Sequence, residues 1–269
     1  MALAGGLGAL ARAGADPGAW GEAFAWAEGE TPASSPWVAV CAAGVYVALV
    51  LAGRASSWCR APALARAVAP LHNLILCGGS ALMFAGCASA SYRRSMEEGS
   101  AAWMLCTPSS DRVVGSLYFW SYVYYLSKYY ELIDTVLMVL NDKPLSTLHV
   151  WHHSTVIIMS WLWLQYAQSL QQIALLTNTG VHVIMYAYYG LTSLGYKPRW
   201  KVLVTNVQIV QFVFSFAVSV PLLRMHFGGA GPCQGFNAWG FNAGFNASLL
   251  YLFWDFHRRV YRSKKAKRG

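Results

Sequence analysis

Seven stretches of this 269-residue chain are apolar over enough residues to be read as membrane spans. They cover about Trp37 to Leu51, Leu71 to Ala90, Val113 to Leu140, Thr147 to Leu164, Leu170 to Leu194, Val202 to Leu223 and Phe236 to Phe256. A helix needs roughly 17 to 25 such residues to cross the hydrocarbon core. The first run is short, and the third and fifth carry polar residues. The connections, among them "NDKP", "GYKPRWK" and "GGAGPCQG", hold the Pro and Gly on which helices end. Their short length predicts a compact all-α polytopic membrane bundle. No tandem repeat or separate soluble domain is visible.

Composition agrees with this pattern. The chain is 56% hydrophobic and 12% charged, whereas soluble domains carry about 25% charged residues. Fourteen Lys and Arg, including Arg54, Lys143, Lys197, Arg199, Lys201 and the C-terminal cluster, fall on one side of a seven-span topology, against five on the other. By the positive-inside rule the richer side and the C-terminus are cytosolic, with Lys128 left inside the membrane. The net charge of +9 then belongs mainly to cytosolic loops and tail, suiting an anionic membrane surface and anionic substrates. The tail has no element that would read nucleic acid, so no nucleic-acid partner is expected. The Ala- and Gly-rich start lacks a basic region leading into an apolar core, so no cleaved signal peptide is predicted, and the first span acts as the signal. Six Cys form no C-x-x-C pair, which argues against a zinc or redox motif.

Polar groups inside the spans cost on the order of 2.5 to 3.5 kcal/mol each when ionisable and mark functional faces. In "SKYYELIDTVLMVL", Lys128, Glu131 and Asp134 recur at i, i+3 and i+6 on one broad helix face. The face reads either as a self-neutralising cluster that lets the helix insert or as the wall of a buried chamber. In "HVWHH", His149, His152 and His153 share a face at i, i+3 and i+4, just past a turn. Capping would account for one of them. In "NTGVHVIMYAYYG", Asn178, His182, Met185, Tyr186 and Tyr189 form one stripe; in "TNVQIVQF", Thr205, Gln208 and Gln211 form another, for which interhelical polar glue is the plain alternative.

Histidine boxes also serve di-iron membrane desaturases and hydroxylases, but such sites need more imidazoles than this chain offers. Of seven His, His72, His226 and His257 are placed near span ends, leaving four. A single metal on His149, His152, His153 and His182 stays open on geometry. A neutral imidazole attacking a thioester asks less, since an acyl-imidazole divides one hard transfer into two easier ones. A ligand-binding transporter or receptor without chemistry is the reading from another class.

The four ordered motifs between Lys128 and Gln211 resemble the ELO family of very-long-chain fatty acid elongases, the membrane 3-ketoacyl-CoA synthases. No family signature appears before about residue 110. The resemblance implies seven transmembrane helices, six of them in a barrel around a tunnel closed toward the lumen of the endoplasmic reticulum. It implies condensation of acyl-CoA with malonyl-CoA to a 3-ketoacyl-CoA, CO2 and CoA, with no metal or other cofactor. His152 is then the acyl acceptor and His182 its partner. His149, His153, Asn178, Tyr186 and Gln208 orient rings or carbonyls, while Lys128, Glu131, Asp134, Tyr189 and Gln211 shape the chamber. Lys143, Lys197, Arg199 and Lys201 are expected to meet the CoA phosphates. The alternative remains a metal-dependent desaturase or hydroxylase.

On this reading residues 1–36 form a lumenal, non-catalytic segment, 37–257 the seven-helix domain and 258–269 a basic cytosolic tail. Lys265 and Lys267 stand like a dilysine retrieval signal. Cys106 and Cys233 fall in predicted lumenal loops and are expected to form a disulfide. The reductases and dehydratase of the elongation cycle are the expected partners, a homodimer is compatible with the pattern, and the His-first box favours a saturated or monounsaturated chain.

Overall fold

The computed structural model describes residues 17–55, 60–228 and 231–258. The expectations for residues 1–16 and for the tail from 259, with its dilysine pattern, lie outside the described residues. Regular structure here is helical apart from one antiparallel bridge between Ala25 and Val114. The α-helices are α1 (Pro36–Ala55), α2 (Pro62–Glu97), α3 (Ser116–Tyr130), α4 (Ile133–Leu140), α5 (Thr147–Gln165), α6 (Gln171–Ser193), α7 (Lys201–Phe227) and α8 (Phe236–His257). Three of them, over Pro36–Gly53, Pro62–Glu97 and Lys201–Phe227, are long and apolar enough to cross a membrane.

The third predicted span is one rod with a break. At Glu131 and Leu132 the backbone stays right-handed, but the bonds tighten: Leu132 N donates to Tyr129 O and Asp134 N to Glu131 O, three residues back. Such i→i+3 steps inside a helix turn its faces. Lys128 and Asp134 consequently point to different partners, and the single broad polar face expected from their spacing is divided.

The second span is longer than its apolar stretch, since α2 starts at Pro62 and ends at Glu97. At 1.5 Å per residue its 36 residues reach about 54 Å. It packs most extensively against α6. Gly180 and Gly190 lie in this contact, where a Cβ would make ordinary van der Waals contact at 3.6 Å with the Phe84 ring and the Asn73 side chain respectively. The other helix contacts run from α2 to α3 and α4, from α3 to α5 and α6, α5 to α8, α8 to α7 and α7 to α6, while α1 lies on α5.

One end of these rods is tied together. Cys106 and Cys233 are joined by a disulfide. The turn from α5 to α6 sits between the same two loops, with Leu170 N donating to Met104 O at 3.2 Å and Ser169 N to Gln234 O at 3.0 Å. Leu170 holds φ of +69°, a conformation a branched side chain keeps only when its surroundings enforce it. Gly235, at φ +65°, leaves no room for a Cβ against Gln168 and the Tyr166 carbonyl.

The segment before α1 closes over that end. Trp20 stacks on Trp120 at 5.8 Å. The Trp120 indole donates to Pro17 O at 3.0 Å, and Trp161 donates to Ser34 O at 2.7 Å. Buried Trp needs such partners for its N–H, so the apolar faces of α3 and α5 set where the segment lies.

Candidate active site

At the opposite end, α5 opens on Ser146, whose Oγ accepts from His149 N at 3.1 Å in an extended cap geometry. This start places the histidine box in the first two turns. The helix then splits the box. His149 and His153, four residues apart, stand ring to ring at 4.3 Å. His149 Nε2 bonds Thr135 Oγ1 at 2.7 Å, and Thr135 also bonds Tyr46 OH at 3.0 Å. His152 meets the His153 ring edge-on at 5.3 Å and stacks on Phe245 at 6.2 Å. Its Nδ1 is buried and has no hydrogen-bond partner among the described residues, as is true of His153.

Two acid-centred clusters flank the box. Lys128 Nζ donates to Glu131 Oε1 at 2.6 Å and lies 3.9 Å above the Tyr124 ring, while His182 Nδ1 stands 3.7 Å from the same carboxylate oxygen. Lys128 and Glu131 are 0% and 1% exposed, so each is the other's counter-charge in a region that would otherwise reject both. Asp134 accepts from His72 Nε2 at 2.9 Å and from Tyr186 OH at 2.8 Å. Tyr124 OH donates to Asn178 Oδ1 at 2.9 Å.

A cavity of about 40 Å³ lies beside His152; Tyr124, Asn178 and Gln211 line it with that histidine, together with Val156, Met159, Trp163, Phe212 and Phe245, whereas His149, His153, His182 and the Lys128–Glu131 and Asp134 clusters do not. Polar His152, Tyr124 and Asn178 thus face apolar walls within one cavity. That combination suits a reactive carbonyl at one end and a hydrocarbon tail at the other. Among the described residues no three His, Cys, Asp or Glu side chains are grouped to share a metal ion.

The remaining candidates are more dispersed. Tyr189 is 43% exposed and meets Tyr186 edge-on. Gln208 donates to the Met185 sulfur at 3.3 Å and does not line the His152 cavity. Lys143, Lys197, Arg199 and Lys201 are exposed in the connections at the histidine end.

Sequence reasoning missed three contributors. His72, set aside as a span-end residue, is 2% exposed and lies well inside α2 once that helix starts at Pro62. Asn242 and Asn246 line the cavity from α8; their i, i+4 spacing within an apolar helix was the available signal.

Fold and site together define an all-helical membrane protein with a buried histidine cluster, one member of which, His152, lines a small cavity with largely apolar walls. The chain belongs to the ELO, or GNS1/SUR4, family, whose model matches residues 31–269. It is 36% identical over 197 residues to fatty acid elongase sre1 of Dictyostelium discoideum, covering 72% of this chain and 73% of that one. To fatty acid elongase A of the same organism it is 32% identical over 252 residues, 90% of each chain. To fatty acid elongase 3-like of Arabidopsis thaliana it is 31% identical over 202 residues, 71% of this chain and 70% of the other.

Proposed function

We propose that this protein is the condensing enzyme of a fatty acid elongation cycle, joining an acyl-CoA to malonyl-CoA. The observation that carries the reading is His152: an imidazole with a buried, unpartnered Nδ1, lining the cavity whose far walls are apolar. A histidine-box oxidase has no comparable support, the similar proteins being elongases.

In the first half-reaction an imidazole nitrogen of His152 attacks the thioester carbonyl, the C–S bond breaks, and CoA leaves as the thiol with the imidazole's proton. The acyl-imidazole holds the chain along Val156, Met159 and Trp163. In the second, the C–CO2 bond of malonyl-CoA breaks, and the resulting enolate attacks the acyl carbonyl. CO2 departs, the 3-ketoacyl-CoA forms, and the expelled imidazolate takes up one proton from solvent, which restores neutral His152. His182 acts as the partner acid or base. His149, His153 and Asn178 position the rings and carbonyl, and the Lys128–Glu131 pair polarises the chamber.

On this reading the six rods other than α1 surround the tunnel. The exposed Lys143, Lys197, Arg199 and Lys201 offer cations to the CoA phosphates. The enzyme works in the endoplasmic reticulum membrane, C-terminus cytosolic, and passes its product to a reductase and a dehydratase. Incubation with acyl-CoA alone, followed by mass spectrometry, should show an acyl adduct on His152 and stoichiometric CoA release. Release that occurs only after malonyl-CoA is added defeats the two-step scheme.

A further inference from the structure

Two cavities meet along α6, α7 and α8, and four residues line both: Ala174, Thr177, Ser215 and Asn242. The first cavity reaches His152. The second contains no histidine and runs to Leu170 and Trp239, beside the apolar cluster that includes Cys233. The shared residues therefore form the wall common to the two cavities, which an acyl chain reaching from the first toward the second would pass. Three of the four are polar, where a hydrocarbon chain alone would call for apolar walls.

Asn242 is the central member. It is 4% exposed and lines both cavities, and its carboxamide makes no hydrogen bond to any described residue. One turn along, Asn246 Nδ2 donates to Ser215 Oγ at 2.9 Å. This leaves the Asn246 oxygen and the Ser215 hydroxyl proton without a partner among the described residues. Thr177 Oγ1 spends its proton on the Ile173 and Ala174 carbonyls and keeps acceptor capacity. Phe245 stacks on the His152 ring, and Asn242 lies three residues further toward the disulfide end, about 4.5 Å along the helix. The amide thus sits past the acyl carbonyl, against the first few carbons of the chain.

A saturated chain passing this point expels water and leaves the amide unpaired. A hydroxyl on the chain would pair with it, and sites that hydrogen-bond a substrate hydroxyl discriminate against the analogue lacking it. We propose that Asn242, with Ser215 and Thr177, forms a hydroxyl-recognising belt in the tunnel, selecting acyl chains that carry a hydroxyl a few carbons beyond the thioester. The proposal rests on the reading of the first cavity as the acyl chamber.

The test compares full-length protein with Asn242→Leu. Acyl-CoAs of one length, saturated, cis-unsaturated or bearing a hydroxyl moved carbon by carbon, compete for elongation. Thioether analogues, which cannot transfer their chains, are scored in parallel by thermal shift. At one hydroxyl position the wild type should prefer the hydroxylated chain by about tenfold, and Asn242→Leu should abolish that preference. Equal preference in both proteins, a preference that survives the substitution, or selection of the double bond over the hydroxyl overturns the belt. Discrimination among the thioethers without any elongation keeps the belt and removes the condensing reading. Should Asn242→Leu fail to fold, Ser215→Ala, which deletes one hydroxyl, must itself lower the preference by about threefold.

Discussion

Lys128 Nζ lies 2.6 Å from Glu131 Oε1 with both side chains excluded from solvent. The pair follows from a helix that tightens just where Glu131 ends α3. Removing one partner strands a buried charge, at a cost of about 3 to 5 kcal/mol. Glu131→Gln should therefore lower the melting temperature sharply in detergent, and Lys128→Met added to it should recover most of the loss. A double variant no more stable than the single would show that the two charges do not compensate each other.

Asp134 links α2 to α6 through His72 and Tyr186. Hydrogen bonds to a charged acceptor contribute about 1.5 to 3 kcal/mol each. Tyr186→Phe and Asp134→Asn should each destabilise the fold. Their double-mutant cycle should give a coupling of about 0.5 to 3 kcal/mol, since both remove the same bond. Strict additivity in thermal unfolding would dissolve the link.

The Cys106–Cys233 disulfide closes a separation of 127 residues. Chain entropy in the unfolded state makes such a bond worth about 2 to 5 kcal/mol. A reductant should lower the unfolding temperature of the wild type and leave that of Cys233→Ser unchanged. Equal sensitivity in both proteins would place the effect elsewhere.

Ala174 stands where the two cavities join. Ala174→Phe fills that passage, so the longest product should shorten by several carbons while short acyl-CoAs still react. Gas chromatography of the product chains reads this directly, and an unchanged length profile would mean the chain takes another route.

Gly86 faces Trp120 so closely that an added Cβ would lie within the indole. Gly86→Val should displace the ring, at about 1 to 3 kcal/mol of overpacking. Because that indole also holds Pro17 and Trp20, limited proteolysis should then cut between residues 17 and 35 faster than in the wild type.

The helices and the motifs were legible in the sequence because apolar length and helical period both leave a pattern along the chain. Apolar length sets the rods, and the spacing of polar residues sets their faces. His149, His152, His153, His182 and Asn178 could be singled out one helix at a time, each as a group too polar for its place. His72 could not, because its meaning depends on where α2 begins, and Pro62 lies in a stretch that hydropathy alone assigns to a loop. Asn242 and Asn246 were hidden by an otherwise unremarkable apolar helix.

The sequence by itself determined that this is an all-helical chain with costly polar groups held inside apolar segments, since insertion energy depends on local composition. Tertiary structure decided which of those groups meet. The tightening at Glu131 sent Lys128 toward His182 and Asp134 toward His72 and Tyr186. His149 and His153 stand ring to ring, while His152 meets His153 edge-on and reaches Phe245 on α8. Those choices come from packing between helices distant in sequence, and a pattern read along one chain segment carries no record of them.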